Sequence, residues 1–250
     1  VGTFLEESTL PDCATTLHNA AFYNCRKLKK LSVGTAISGI GSDEFMNDSQ
    51  LEHLIIRGKD SEATGLPLIL ERIAENITVS FCPNSSSSPE SIVFFPEYYE
   101  WLDEISPAHI FSRSIHGEGF RMRKSFENGI LNYRKYDSCL ENALTVESPE
   151  SLCKIALNRL RWPSRLEDIF REKYENVIKK YMGTAFTLAV KDQDFPMLQF
   201  ICEHFSPDAS ALASAIDQCI EKEWGEGNAF LIEAKHKSFS KKTFDFDLDF

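Results

Sequence analysis

His116 and Glu118 lie in the stretch Ser114-Ile115-His116-Gly117-Glu118-Gly119-Phe120, each followed by a glycine. A histidine in that setting could act as a general base, with the nearby glutamate orienting its ring. The rest of the chain gives this chemistry little to work with. No serine or cysteine stands in a nucleophile-elbow context. His109 precedes His116 by seven residues but lacks the glutamate-bearing helix of a His-Glu-x-x-His metal site. A glycine-hinged turn with its polar side chains in local hydrogen bonds accounts for the same residues. Arg113, Arg121, Arg123 and Lys124 form the one basic patch, and the acids around them are its expected partners. The sequence therefore argues against an enzyme and names no catalytic, cofactor-binding or metal-binding residue. A hydrolase or transferase centred on residues 109–124 is the alternative reading.

The seven cysteines (Cys13, Cys25, Cys82, Cys139, Cys153, Cys202 and Cys219) are odd in number, widely spaced and without a Cys-x-x-Cys pair. That pattern suits buried thiols in a reducing compartment better than a disulfide framework or a zinc site. It points to the cytoplasm, with the cell surface open if a leader has been removed. The 27 basic and 38 acidic side chains give a net charge of −11. Phosphate binding needs clustered Lys and Arg, so nucleic acid and anionic membranes are disfavoured as partners. No apolar run approaches the length of a membrane span, so no membrane insertion is expected.

The elements that would position any site show a repeat. Phe22, Asn24, Leu28, Leu31 and Val33 recur 23 positions later as Phe45, Asn47, Leu51, Leu54 and Ile56, and Leu5 and Leu10 extend the pattern backwards. A period in the low twenties around Leu-x-x-Leu-x-(Val/Ile) predicts a leucine-rich-repeat solenoid, here the tail end of a longer array. Leu28–Val33 and Leu51–Ile56 read as its strands. The two phenylalanines would fill the core, and Asn24 and Asn47 would serve the turns. Gly65-Leu66-Pro67 opens a helical stretch, and Ile77–Phe81 reads as a third strand, 23 residues after Leu54–Ile56. This longer unit is expected to close the end of the ladder. Asn76-Ile77-Thr78 fits a glycosylation motif, but a structural role is the better reading.

The run Ala20-Ala21-Phe22-Tyr23-Asn24-Cys25-x-x-Leu28-x-x-Leu31 resembles the BspA-like bacterial leucine-rich repeats. Their units read roughly as Ile-Gly-x-x-Ala-Phe-x-Asn-Cys-x-x-Leu-x-x-Ile. Ile40-Gly41 followed by Phe45-x-Asn47 fits the same template, with Glu44 and Asp48 in place of the usual Ala and Cys. The resemblance covers about two and a half units and implies protein binding through the solenoid surface.

Pro83-Asn84-Ser85-Ser86-Ser87-Ser88-Pro89 reads as a linker. After it, Ser91–Phe95 reads as a strand and Glu97–Leu102 as a turn of helix. The aromatics Phe94, Phe95, Tyr98, Tyr99 and Trp101 are assigned to core packing rather than to a binding pocket. Further on, Ala143, Leu144, Ser148, Leu152 and Ile155 recur 46 positions later as Ala189, Val190, Asp194, Leu198 and Ile201, each copy a helix–turn–helix. Ser164-x-x-Glu167 reads as a capping box for the helix between the copies. Asp208 caps another helix, which Gly225 and Gly227 break before a last helix over Asn228–Lys235. The pattern is ankyrin-like without the Thr-Pro-Leu-His signature. Phe244–Phe250 alternates apolar and acidic residues, as a docked or frayed tail or a partner-binding motif would.

The expected fold class is α+β: a short β-solenoid with a terminal capping unit over 1–82, a linker and mixed segment over 83–137, an ankyrin-like α-solenoid over 138–237, and a tail over 238–250. The expected function is an interaction scaffold for a protein or peptide partner, with a surface adhesin of the same repeat class as a variant. The binding residues, the partner and the oligomeric state stay open.

Overall fold

A five-residue strand cannot bury one face on its own, so the strands of this repeat must stack to make a core. The computed structural model describes residues 4–42, 45, 50–83, 88–105 and 110–244, with side chains at all of these except 103–105, 110–113 and 238–244. The chain divides into two compact units, Val1–Glu147 with Trp162–Arg171, and Ser148–Arg161 with Glu172–Phe250.

In the first unit, β1 (Glu7–Thr9), β3 (Lys30–Gly34), β5 (His53–Arg57) and β6 (Ile77–Phe81) lie side by side in parallel. Between them, β2 (Thr16–Leu17) and β4 (Gly39–Ile40) form a second parallel ladder. The result is a β-solenoid of about three turns. Glu7, Lys30 and His53 are opposite one another, so the first steps are the expected 23 residues. The next step is not 23: His53 faces Thr78 and Leu54 faces Val79, a step of 25. The additional two residues accompany α1 (Leu66–Leu70), and an even shift keeps every side chain on its original face. Leu31 and Val33, Leu54 and Ile56, and Val79 and Phe81 are all buried in the shared core.

Outside the strands, Phe22 stacks on Phe45 with ring centroids 5.7 Å apart and planes 4° from parallel. Asn24 takes up a left-handed backbone (φ 60°), which asparagine tolerates better than most residues. Its repeat counterpart Asn47 lies outside the described residues. Asn19 supplies an amide bridge between turns, its Oδ1 accepting from the Ser42 amide at 3.1 Å.

The ladder ends by reversing direction. Strand β7 (Ser91–Phe95) pairs antiparallel with β6, and the Tyr136 hydroxyl donates to the Phe94 carbonyl. Next come a hairpin of β8 (Tyr99–Ile105) and β9 (Ile110–His116), then α2 (Gly119–Arg123), a small hairpin of β10 (Phe126–Glu127) and β11 (Ile130–Leu131), and α3 (Tyr133–Ser138) and α4 (Leu140–Val146). The helical turn expected over Glu97–Leu102 is thus a strand. Alternating aromatic and acidic residues suit a pleated ribbon, and β9 supplies the partner that a local reading does not see.

The second unit holds α5 (Pro149–Arg161), most of α6 (Asp168–Lys180), α7 (Met182–Lys191), α8 (Phe195–Phe205), α9 (Ala209–Glu221) and α10 (Gly225–Phe244). Ser148, Asp194 and Asp208 cap α5, α8 and α9 by accepting from the amides of Ser151, Met197 and Ala211. Helix α7 packs against α5, α8 and α9, and α10 against α8 and α9. His204 of α8 lies 3.4 Å from Glu175 of α6.

Both 46-residue copies exist, as α4–α5 and α7–α8, but packing does not follow that alignment. Helix α4 belongs to the first unit, and α5 packs on α7. Two end signals also differ. Ser164 does not cap α6, which starts at Asp168 after a left-handed Arg165. Gly225 and Gly227 open α10 rather than break a helix; at Gly227 a Cβ would lie 2.4 Å from the Trp224 ring. Helix α10 runs on through Phe244, and residues 245–250 lie outside the described residues.

Leu54, fully buried in the central strand, sets a test of the ladder. Leu54→Ala is expected to cost about 2–5 kcal/mol in urea unfolding followed by far-ultraviolet circular dichroism.

Candidate functional site

The β8–β9 hairpin is the most conspicuous surface feature of the first unit. Tyr99 pairs with His116, Glu100 with Ile115, Trp101 with Ser114 and Leu102 with Arg113. Alternation puts Tyr99 and Trp101 on one face and Leu102 and Ile115 on the other. Tyr99 is 59%, Trp101 56% and Leu102 65% exposed, so large apolar side chains meet solvent on both faces. The expected aromatic core cluster is therefore split. Phe94 and Phe95 are buried, whereas Tyr99 and Trp101 are not. Clustered exposed apolar residues of this size mark interaction sites more often than single ones do.

His116 and Glu118 are not brought together. The His116 ring stacks on Tyr99, 5.0 Å between centroids, and its Nε2 lies 3.3 Å from the Ser114 hydroxyl. Glu118 is buried at the start of α2, with Arg121 at 3.4 Å, and its amide donates to the Glu147 carboxylate at 2.7 Å. Burial pushes the Glu118 carboxyl above the usual range against the pull of Arg121 and a hydrogen bond with Cys139. His109 lies outside the described residues.

The basic patch is divided as well. Arg121 pairs with Glu118, and Lys124 with Glu71 at 2.8 Å, as the acids around them led us to expect. Arg123 behaves differently. It is buried, and it donates to the carbonyls of Pro96, Gly119 and Glu75 at 2.6, 3.0 and 2.6 Å. Its guanidinium also lies 5.1 Å from the Tyr98 ring centroid, and burial lowers its pKa to about 10. Arg123 thus ties α2 to the backbone around β7, a fixing role for a residue expected to pair with nearby acids.

A second buried cluster gave no sign in the sequence. Asp60 is almost fully buried. It accepts from the Tyr133 hydroxyl at 2.8 Å and from Arg165 at 2.7 Å, and Ser164 also hydrogen-bonds it. Tyr133 in turn lies 2.6 Å from the buried Ser91 hydroxyl. Burial alone would raise the Asp60 carboxyl. The bonds from Ser164 and Tyr133 and the charge of Arg165 outweigh it and hold the group below the ordinary value. Beside the cluster opens a cleft of about 450 Å³ lined by Tyr133, Arg165, Arg134, Glu127 and Glu167. Its charged groups are largely matched internally, Arg165 to Asp60, Arg134 to Glu167 and Glu127 to Lys135.

All seven cysteines are free thiols, and burial lifts Cys139 to about 11 and Cys153 and Cys202 to about 12. Such thiols carry almost no thiolate at neutral pH. Among the described residues, no group of three or more His, Cys, Asp or Glu side chains is placed to hold a metal, and no helix is long and apolar enough to cross a membrane. The chain is a β-solenoid of about three turns with a helical second unit. Nothing among protein-family models, curated proteins or solved structures matches it.

The two buried acids should respond to pH in opposite senses. Asp60, held low, stabilises the fold above about pH 4, and this contribution fades as pH falls through the lowered value. Asp60→Asn should cost about 1–3 kcal/mol at pH 7, with the gap to the parent narrowing below about pH 4 in urea titrations. Glu118, held high, costs stability as pH rises above the usual glutamate range. Glu118→Gln should therefore raise the unfolding midpoint at pH 7, and that gain should vanish below about pH 4.

Proposed function

We propose that this chain is a protein-binding module, built as a BspA-like leucine-rich ladder joined to an ankyrin-like helical repeat. The observation that carries the reading is the cluster of Tyr99, Trp101, Leu102 and Ile115, held in solvent on both faces of the β8–β9 hairpin. Burying such side chains against a partner removes apolar surface from water at about 25 cal/mol per Å². Aromatic residues of this kind also dominate the energetics of protein interfaces. The solenoid supports the reading because stacked repeats offer extended surfaces on a rigid frame.

The charge of −11 supports a protein partner over nucleic acid. The stacking of His116 on Tyr99 and the pairing of Glu118 with Arg121 give a general-base reading little support. The cleft beside Asp60 gives a small-molecule reading little support, because its ionic groups are largely paired already.

The test compares the full chain with a Trp101→Ala/Leu102→Glu variant as baits in cross-linking capture from source-organism extract. Both positions are exposed, so the variant should melt within a degree or two of the parent. A partner captured by the parent and lost by the variant is the expected result. Equal capture by both baits would move the binding surface away from the hairpin, and no capture by either would count against a protein-binding role.

A further inference from the structure

The second unit carries a surface of its own, on its last helical pair. Helices α9 and α10 are joined by the short turn Lys222–Trp224 and pack on each other, so they run antiparallel. Helix α9 buries Leu212, Ala215 and Cys219, and α10 with its lead-in buries Trp224, Gly227 and Leu231. About 100° round α9 from its buried stripe lie Ala209, Ala213, Ile216 and Ile220. Ile220 is 59% exposed, and the other three are half-buried. About 140° round α10, in the same sense, lie Gly225, Ala229, Ile232 and His236, all exposed. Because the two helices face each other and run oppositely, rotation in the same sense brings both stripes to one side of the pair. Phe230 meets Phe195 of α8 on the other side, 5.3 Å between ring centroids. Among the described residues no helix follows α10 to cover the open side.

The two stripes match. Each is spaced by four, three and four residues, the rhythm of helices paired in a coiled coil. Each also begins with two small residues and ends with larger ones. Two such stripes on antiparallel helices make a face that is complementary to itself. A second copy, turned by half a turn about an axis perpendicular to the face, lays its α10 along α9 of the first, now parallel. Each stripe residue then meets the one sixteen positions away in sequence: Ile216 meets Ile232, Ala213 meets Ala229 and Ala209 meets Gly225.

Charge agrees with that arrangement. From Asp217 to Glu226, at the turn end of the pair, the chain holds four carboxylates and one lysine. From Lys235 to Lys242, towards the far end, it holds four lysines and no acid. The half-turn sets the acidic end of one copy over the basic end of the other, with Glu221 beside Lys237. Lys237 pairs with Glu233 of its own helix at 2.6 Å, but both groups are exposed, and such pairs are weak enough to admit a second carboxylate. Asp217 falls near Glu233 by the same offset, a like-charged contact at the solvent edge that Lys237 offsets.

We propose that the α9–α10 face joins two copies of this chain in a two-fold dimer, α9 of each lying on α10 of the other. The thirteen residues of α9 span about 20 Å, so the interface falls at the low end of the standard range and the dimer is reversible. It uses the second unit alone and stands apart from the hairpin as a binding surface.

The test is sedimentation velocity of the full chain from about 1 to about 200 μM, the range of a reversible dimer. The weight-average mass should rise from 28.4 kDa towards twice that value. Ile220→Glu and, separately, Ile232→Glu should each weaken dimerisation at least about tenfold. Both positions are exposed, so melting temperatures at the lowest concentration should stay within a degree or two of the parent. Glu221→Lys and Lys237→Glu should each weaken it severalfold, and the two combined should restore it, because the swapped charges still meet across the interface. Trp101→Ala/Leu102→Glu should leave it unchanged. A monomer at every concentration would overturn the proposal. Dimers that survive both isoleucine substitutions, or that are lost with Trp101→Ala/Leu102→Glu, would move the interface elsewhere. A charge swap that fails to restore association would overturn the pairing of α9 with α10. A monomer that dimerises only after removal of residues 245–250 would make that segment the occupant of the face instead.

Discussion

The first unit depends on one constraint: two inward side chains per strand are too few to make a core, so each turn must be completed by the next. Leu31 and Val33 stand opposite Leu54 and Ile56, which stand in the same way opposite Val79 and Phe81, and all six are buried. The ladder spreads this dependence evenly until it reaches β6, where the chain must supply a last surface of another kind. Strand β7, reversed in direction, provides it, and its Phe95 contacts Phe126 and Tyr136. The small hairpin and the short helices after it are there to cover that final face.

Two buried polar clusters secure the cover at different places. Arg123 spends its donors on three backbone carbonyls, which fixes α2 against the turn after α1 and the end of β7. Asp60, on the loop after β5, gathers Tyr133 and Arg165 from 73 and 105 residues away. A carboxylate with this many partners holds its neighbours in one arrangement, because losing any of them would leave buried charge exposed to an apolar surround.

The sequence disclosed what recurs locally and concealed what depends on distant partners. The 23-residue step was visible because Phe22, Leu31 and Val33 repeat in kind. The 25-residue step was not, because Ile77, Val79 and Phe81 are all apolar and two apart, so a register slipped by two matches equally well. Strand β8 was misread because its partner β9 lies further along the chain, and the local pattern held no sign of it. Asp60 looked like one more scattered acid until the fold brought Tyr133 and Arg165 to it. The glycines at 225 and 227 misled for a related reason: in the first turn of a helix they cost little, and Gly227 makes room for an indole. The candidate surface was legible only in composition, as a concentration of aromatics whose exposure could not be read in advance.

The reversal at β7 also gives the ladder a polarity. A further turn of the same pattern could be laid against β1, whose outer side still has the parallel geometry that its neighbours share. It could not be laid against β7, where the strand runs the other way and Tyr136 already occupies the Phe94 carbonyl. A duplicated repeat would therefore extend the ladder on the β1 side and not on the β7 side.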